Sequence, residues 1–276
     1  MHSTVQMKKF FAASLPIIAM LLAAVLSGPA FGQESDDDWC DEGRWDRNHD
    51  SFCEVREYTI AAGAIDVDAG TNGGVRVEAW DGSDVLVRAK VSAHADEDGD
   101  AERLADRITV RADGGDISAD GPSTGDGESW YVSYRVYVPR DTDLSLEAHN
   151  GGIGVEGVNG NIRFKTMNGG VRLTDLAGDV RGETRNGGVS VQLSGTRWDG
   201  AGMDVETRNG GVQVTIPEGY NAEFETGTRN GGIRVDFPVT VSGEIKRRLE
   251  TTLGSGGPTV RVVTTNGGVK VGRGHS

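Results

Sequence analysis

The sequence predicts an all-β fold, a single-domain parallel β-helix (a β-solenoid) with coils of about 18–23 residues and a short helical insertion near its N-terminal end. Three observations predict it. The phrase Asn-Gly-Gly followed by Ile or Val recurs at Asn150, Asn168 and Asn186, eighteen residues apart, then at Asn209, Asn230 and Asn266, at steps of 23, 21 and 36. An earlier copy starts at Asn72, and a degenerate Asp113-Gly114-Gly115 lies in between. A fixed period near twenty marks stacked repeats, each too small to fold alone. After each turn comes a period-2 apolar pair, such as Val171 and Leu173 or Val189 and Val191, the pattern of a half-buried strand. Paired glycines in every repeat and β-branched residues throughout oppose a helix.

Within a coil, Asn-Gly is a strong turn signal because both residues tolerate positive φ. A second short strand is expected around Ile162, Val180 and Val205, each after a glycine (Gly160, Gly178, Gly202). A threonine stands two residues before most of the asparagines: Thr166, Thr184, Thr207, Thr228 and Thr264. In-register stacking puts like on like roughly 4.8 Å apart. Ladders of hydrogen-bonded Thr and Asn side chains are therefore expected up and down the stack. A meander of antiparallel hairpins also uses Asn-Gly, but does not require the same turn and the same Thr every eighteen residues. Calcium-filled glycine-rich turns need Asp where these turns carry Asn.

Taken in order, residues 1–32 read as a secretory signal peptide. Lys8 and Lys9 precede the apolar Phe10–Leu26 run, and Ala30-Phe31-Gly32 offers a small-x-small cleavage site. Cleavage leaves no stable membrane span and an exported chain. Residues 33–59 form a head or cap in which Cys40 and Cys53, the only cysteines, pair as a disulfide in an oxidising compartment. Trp39 and Trp45 are expected over the open end of the first coil. Asp46, Asn48, Asp50 and Glu57 match parts of a calcium loop, but Ser51 stands where that loop needs glycine, so no metal site is assigned. Strands run from Ile60 to Val91. The acidic stretch His94–Asp106 carries a helical face of Ala101, Leu104, Ala105 and Ile108, with Asp100 as N-cap. Another strand pair flanks the degenerate turn. Trp130, Val132, Tyr134, Val136 and Val138 then share one strand face, with Tyr131 and Tyr137 on the other, where aromatics stack on sugars or pack beneath a loop. Two excursions from the period, Thr196–Gly202 with Trp198 and Gly243–Gly257 with Lys246, Arg247 and Arg248, are the candidate ligand-facing loops. The solenoid spans 60–272, and 273–276 is a tail.

Here the residues resemble a known family. Thr-x-Asn-Gly-Gly-Val repeated after Val138-Pro139-Arg140-Asp141 is similar to the bacterial putative-adhesin domain, a domain of unknown function. The stretch Leu253–Gly257, followed by Val260–Val271, is similar to that family's closing coil. The resemblance covers about Ile60–Gly272. It implies a parallel β-helix, an exported location (periplasm, cell surface or extracellular) and a role at the cell envelope, with no catalytic residues to carry over. It also implies a right-handed coil, although eighteen-residue coils suit left-handed helices with three six-residue sides.

Charge and motifs bound the function. A formal net charge of −14 disfavours a nucleic-acid partner, which wants a basic stripe. No catalytic set, cofactor loop or zinc spacing is present. His49, His94, His149 and His275 share no spacing with a nucleophile. Asp175, Asp179, Glu183 and Arg185 can share an outer face as in carbohydrate-active β-helices, which keeps a polysaccharide lyase or hydrolase as the competing class. The expected role is a non-enzymatic, adhesin-like module. Its partner is a cell-envelope polymer, glycan or surface protein; a periplasmic partner of an envelope-stress regulator is a third reading.

Overall fold

The alternating apolar pairs all become strands, and the corners between them turn the chain from one sheet to the other. The structure is a computed structural model, and it describes residues 39–40, 50–238 and 247–274. In chain order the strands are β1 (Asp50–Ile60), β2 (Ile65–Asp68), β3 (Val75–Trp80) and β4 (Val85–Ala95). Helix α1 (Asp100–Ala105) precedes β5 (Thr109–Asp113), β6 (Asp116–Asp120) and β7 (Ser129–Pro139). The regular coils follow as β8 (Leu144–Ala148) with β9 (Ile153–Glu156), β10 (Asn159–Thr166) with β11 (Val171–Thr174), and β12 (Ala177–Asn186) with β13 (Val189–Gln192). Next come β14 (Gly202–Asn209) with β15 (Val212–Ile216), and β16 (Ala222–Asn230) with β17 (Ile233–Val235). Last are β18 (Arg248–Leu253), β19 (Thr259–Asn266) and β20 (Val269–Arg273).

These strands make two ten-stranded sheets. The first runs β1-β4-β7-β3-β9-β11-β13-β15-β20-β17, and the second β18-β16-β19-β14-β12-β10-β8-β2-β6-β5. The central pairings are parallel and in register, Val171 beside both Ile153 and Val189, and Ile162 beside both Leu144 and Val180. The β-solenoid expected from the repeat is present. Between the sheets lies one continuous core of inward residues, including Val77, Val155, Leu173, Val191 and Val214 from the first sheet and Leu146, Ile162, Val180 and Val205 from the second. Each such side chain contributes about 1.5–3 kcal/mol by burial. Large sits against small where the stack demands it. Phe164 lies in register with Gly182, where a Cβ would meet its ring at 2.5 Å.

The order of layers departs from the order of the chain. The coil of β19 and β20 lies between that of β14 and β15 and that of β16 and β17, so the last coil of the sequence is the penultimate layer. The 36-residue step is thus not two coils in succession. After β17 the chain returns as β18, antiparallel to β16 on the outside, and then fills the inner slot. At the other end β7 enters beside β3, while β4 and β1 add antiparallel strands beyond it.

Two local expectations are corrected. Asp113-Gly114-Gly115 is the turn of an antiparallel hairpin, β5–β6, with Gly114 and Gly115 at φ 60° and 96°, and not a coil corner. The apolar helical face is buried as expected, but Gly99 is the N-cap residue of α1, and Asp50 of β1 accepts the Ala101 N–H at 2.9 Å. Asp50 thus caps a helix. Asp46 and Asn48 lie outside the described residues, as do the signal peptide, Trp45 and the last two residues of the tail.

Candidate functional site: the corner edge and the outer faces

Each Thr-x-Asn-Gly-Gly-Val corner has one inward and one outward polar residue. The threonine is buried, and its hydroxyl donates to the carbonyl of the first corner glycine of a neighbouring coil: Thr166 to Gly151, Thr184 to Gly169, Thr207 to Gly187, Thr264 to Gly210 and Thr228 to Gly267, each at 2.8–2.9 Å. The expected Thr-to-Thr ladder is therefore replaced by a Thr-to-backbone one, because an inward hydroxyl must satisfy itself on the nearest buried carbonyl.

The asparagine ladder forms as expected and is unbroken. Nδ2 of Asn150 donates to Oδ1 of Asn72 at 3.0 Å, Asn168 to Asn150 at 2.7 Å, Asn186 to Asn168 at 2.7 Å and Asn209 to Asn186 at 2.8 Å. Asn266 then donates to Asn209 at 2.8 Å and Asn230 to Asn266 at 2.6 Å. All seven side chains are exposed. Six of the seven amides donate one N–H within the ladder, Asn72 at its end only accepting, and each keeps a second N–H that the ladder does not use.

The glycines need a different explanation from turn geometry. Gly151, Gly169, Gly187 and Gly210 do not adopt positive φ. A Cβ on any of them would lie 1.9–2.0 Å from the carbonyl oxygen of the corner glycine in the adjacent coil. Close backbone approach, not φ, excludes a side chain there. The second glycine of the corner is looser, with nearest atoms at 3.7 Å for Gly170 and 3.5 Å for Gly188 and Gly211. Those bare positions leave an open groove of about 610 Å³ beside the ladder, bordered by Arg172, Ser190, Gln213 and Lys270.

The outer face of the second sheet is a lattice of ion pairs. Asp179 accepts from Arg163 at 2.9 Å and Arg181 at 3.1 Å, and Arg163's hydrogen bond, foremost, holds its carboxyl below the usual range. Lys165 meets Glu183 at 3.7 Å, and Arg261 contacts Asp204 at 2.5 Å. Asp175, at φ 51°, is at a corner, hydrogen-bonded by Ser194 and 3.7 Å from Arg140. The carboxylates Asp175, Asp179 and Glu183 are thus each engaged by cations or a hydroxyl. Among the described residues, no group of three or more His, Cys, Asp or Glu is placed to hold a metal ion.

Other sequence candidates divide. Cys40 and Cys53 form the disulfide. Trp39 is buried, with the Arg135 guanidinium 4.3 Å from its ring centroid and Lys90 Nζ donating to its carbonyl at 2.5 Å. It therefore covers the outer face of β4 and β7, where those two cations stand. Trp198 is turned inward instead of standing out on its loop. It is 2% exposed, and its Nε1 donates to the Gly178 carbonyl at 3.0 Å, because an indole in an insertion over an apolar core gains more inside. Lys246 lies outside the described residues. Arg248 opens β18 and is tied to Glu225 and Glu250, which makes it a counter-charge rather than a loop ligand; Arg247 is exposed beside it. Tyr131 and Tyr137 are engaged by His94 and Trp80, with ring centroids 6.2 and 6.1 Å apart.

A family described as Toastrack DUF4097 matches residues 90–272. No curated protein matches the chain. Among solved structures, a putative cell adhesion protein from Clostridium sporogenes is 11% identical, over 81% of this chain and 100% of its own, with a TM-score of 0.39. A putative adhesin from Bacteroides fragilis is 10% identical over 80% and 97%, with a TM-score of 0.33. A putative lipid binding protein from Parabacteroides distasonis is 12% identical over 79% and 96%, with a TM-score of 0.27.

Proposed function

The chain belongs to the Toastrack DUF4097 family, and from that premise we propose that it is an exported, non-enzymatic, adhesin-like binding protein of the bacterial cell envelope or surface. One observation carries the reading. The described surface is a regular array, an exposed ladder of seven asparagines along one edge, beside a sheet face where several carboxylates, Asp179 and Glu183 among them, are held in ion pairs. A repeating polar surface is suited to holding an extended partner at many equivalent points, whereas catalysis needs a group held in a perturbed protonation state within a cleft. The Cys40–Cys53 bond supports export, since disulfides persist in oxidising compartments. The signal-peptide reading of residues 1–32 supports it independently.

The test is binding of the purified chain to an array of envelope polymers and glycans, with and without calcium, while reducing ends are assayed. Saturable binding with the polymer left intact is expected. Release of reducing ends, or binding to none of the polymers, contradicts the proposal.

A further inference from the structure

Two sets of cations on this chain differ in their pairing. On the outer face of the second sheet Arg163, Lys165, Arg181, Arg248 and Arg261 are all in ion pairs. Five exposed arginines, Arg172, Arg185, Arg208, Arg229 and Arg234, have no ion pair among the described residues. All five flank the corner edge. Arg185, Arg208 and Arg229 each immediately precede a ladder asparagine, on the second-sheet side. Arg172 and Arg234 lie two residues beyond the second corner glycine, on the first-sheet side, in one register row with Arg76 and Lys270. In a chain of net charge −14, these five exposed arginines without an ion pair gather along one edge, while others such as Arg107 and Arg197 lie elsewhere. The next row of the second sheet carries Glu147, Glu183 and Glu206 around a single cation, Lys165, which pairs with Glu183, so negative charge predominates next to that edge.

From this placement we infer that the corner edge binds a linear anionic polysaccharide laid along the stack axis. The inference deepens the proposed function and rests on it. The seven layers, spaced by about 4.8 Å, give an edge roughly 30 Å long, which matches an extended polymer rather than a single small anion. Arginines on both sides supply planar guanidinium forks for carboxylate, sulfate or phosphate groups. Between them the second N–H of each ladder amide is offered to sugar hydroxyls, and the side-chain-free glycine positions form the open groove beside it. A duplex nucleic acid fits poorly, because its second strand would meet the acidic row.

The test uses the full chain and four probes: polygalacturonate for carboxylate, dextran sulfate for sulfate, neutral dextran, and duplex DNA. Affinity is measured by titration calorimetry at about 50 and 300 mM salt. Binding to at least one of the two anionic polysaccharides, weakened by salt and absent for neutral dextran, is expected, and the preferred anion identifies the group recognised. The triple variant Arg185→Glu, Arg208→Glu, Arg229→Glu is expected to lose at least about tenfold in affinity. The variant Arg163→Gln, Lys165→Gln, on the ion-paired face, is expected to lose less than about twofold. Circular dichroism of both variants checks that each is folded, and the single variant Arg172→Gln provides a milder second reading. Equal losses in the two multiple variants, or equal binding to DNA, overturn the inference. Binding to neutral dextran but to neither polyanion overturns this inference and leaves the proposed function standing; binding to none of the polymers removes both.

Discussion

Gly169 and Gly170 are adjacent and chemically identical, yet the stack treats them differently. A Cβ on Gly169 would meet the Gly151 carbonyl at 1.9 Å, whereas one on Gly170 has its nearest neighbour at 3.7 Å. In urea unfolding, Gly169→Ala is expected to cost more than about 3 kcal/mol and Gly170→Ala less than about 1 kcal/mol. The positive-φ turn expected of Asn-Gly is not the reason for Gly169, since a turn in one chain and a close approach between two coils leave the same residue in the sequence. Tyr134 offers a second test. Its side chain is fully buried, its hydroxyl has no hydrogen-bond partner among the described residues, and burial pushes its titration far above the usual phenol range. An unsatisfied buried hydroxyl costs about 1–3 kcal/mol, so Tyr134→Phe is expected to raise Tm; a fall shows a bond to this hydroxyl. Asp179 gives the pH dependence. Its folded-state pKa lies below the ordinary 3.8, so its contribution is present above that value and is lost as the pH falls through the lower, folded one. The Asp179→Asn variant is therefore expected to lose less stability than the parent chain on acidification below about pH 4, read from Tm against pH.

At the level of elements, the coil was legible and the order of coils was not. Strand positions follow from Val-x-Val pairs and the corners between them, because a period of two allows only one face inward. Layer order depends on which coil pairs with which, and the corners at Asn209, Asn230 and Asn266 read almost identically, so nothing local distinguishes 209–266–230 from 209–230–266. The hairpin partner of β16 is equally hidden, since Arg248–Leu253 lies within the Gly243–Gly257 excursion from the period and carries no corner motif. Cysteine pairing tests the order. Adjacent layers put Cα atoms within disulfide range, about 5 Å, and layers two apart put them near 10 Å. The pair Asn209→Cys, Asn266→Cys is expected to cross-link, and the pair Asn209→Cys, Asn230→Cys is not, as mapped by mass spectrometry of unreduced peptides. The native Cys40–Cys53 bridge closes a separation of 13 residues, and replacing both with serine is expected to cost about 3 kcal/mol.

For the whole molecule, the candidate site divides along the same line. The asparagine ladder was readable because it is a repeat property. The ion-pair lattice and the unneutralised arginines were not, since pairing depends on which residues stand opposite each other between coils, and Arg181 and Arg185 look alike in the chain. Trp198 misled for a related reason, because an insertion that lengthens a coil can fold inward as readily as outward. We propose that this protein binds through one edge of its stack. The most direct test is hydrogen exchange of the full chain with and without a saturating anionic polysaccharide. Slowed exchange confined to the corner segments at residues 168–172, 186–190, 209–213 and 266–270 is the result expected. Protection on the ion-paired face around Arg163 and Arg181, with the corners unchanged, would contradict it.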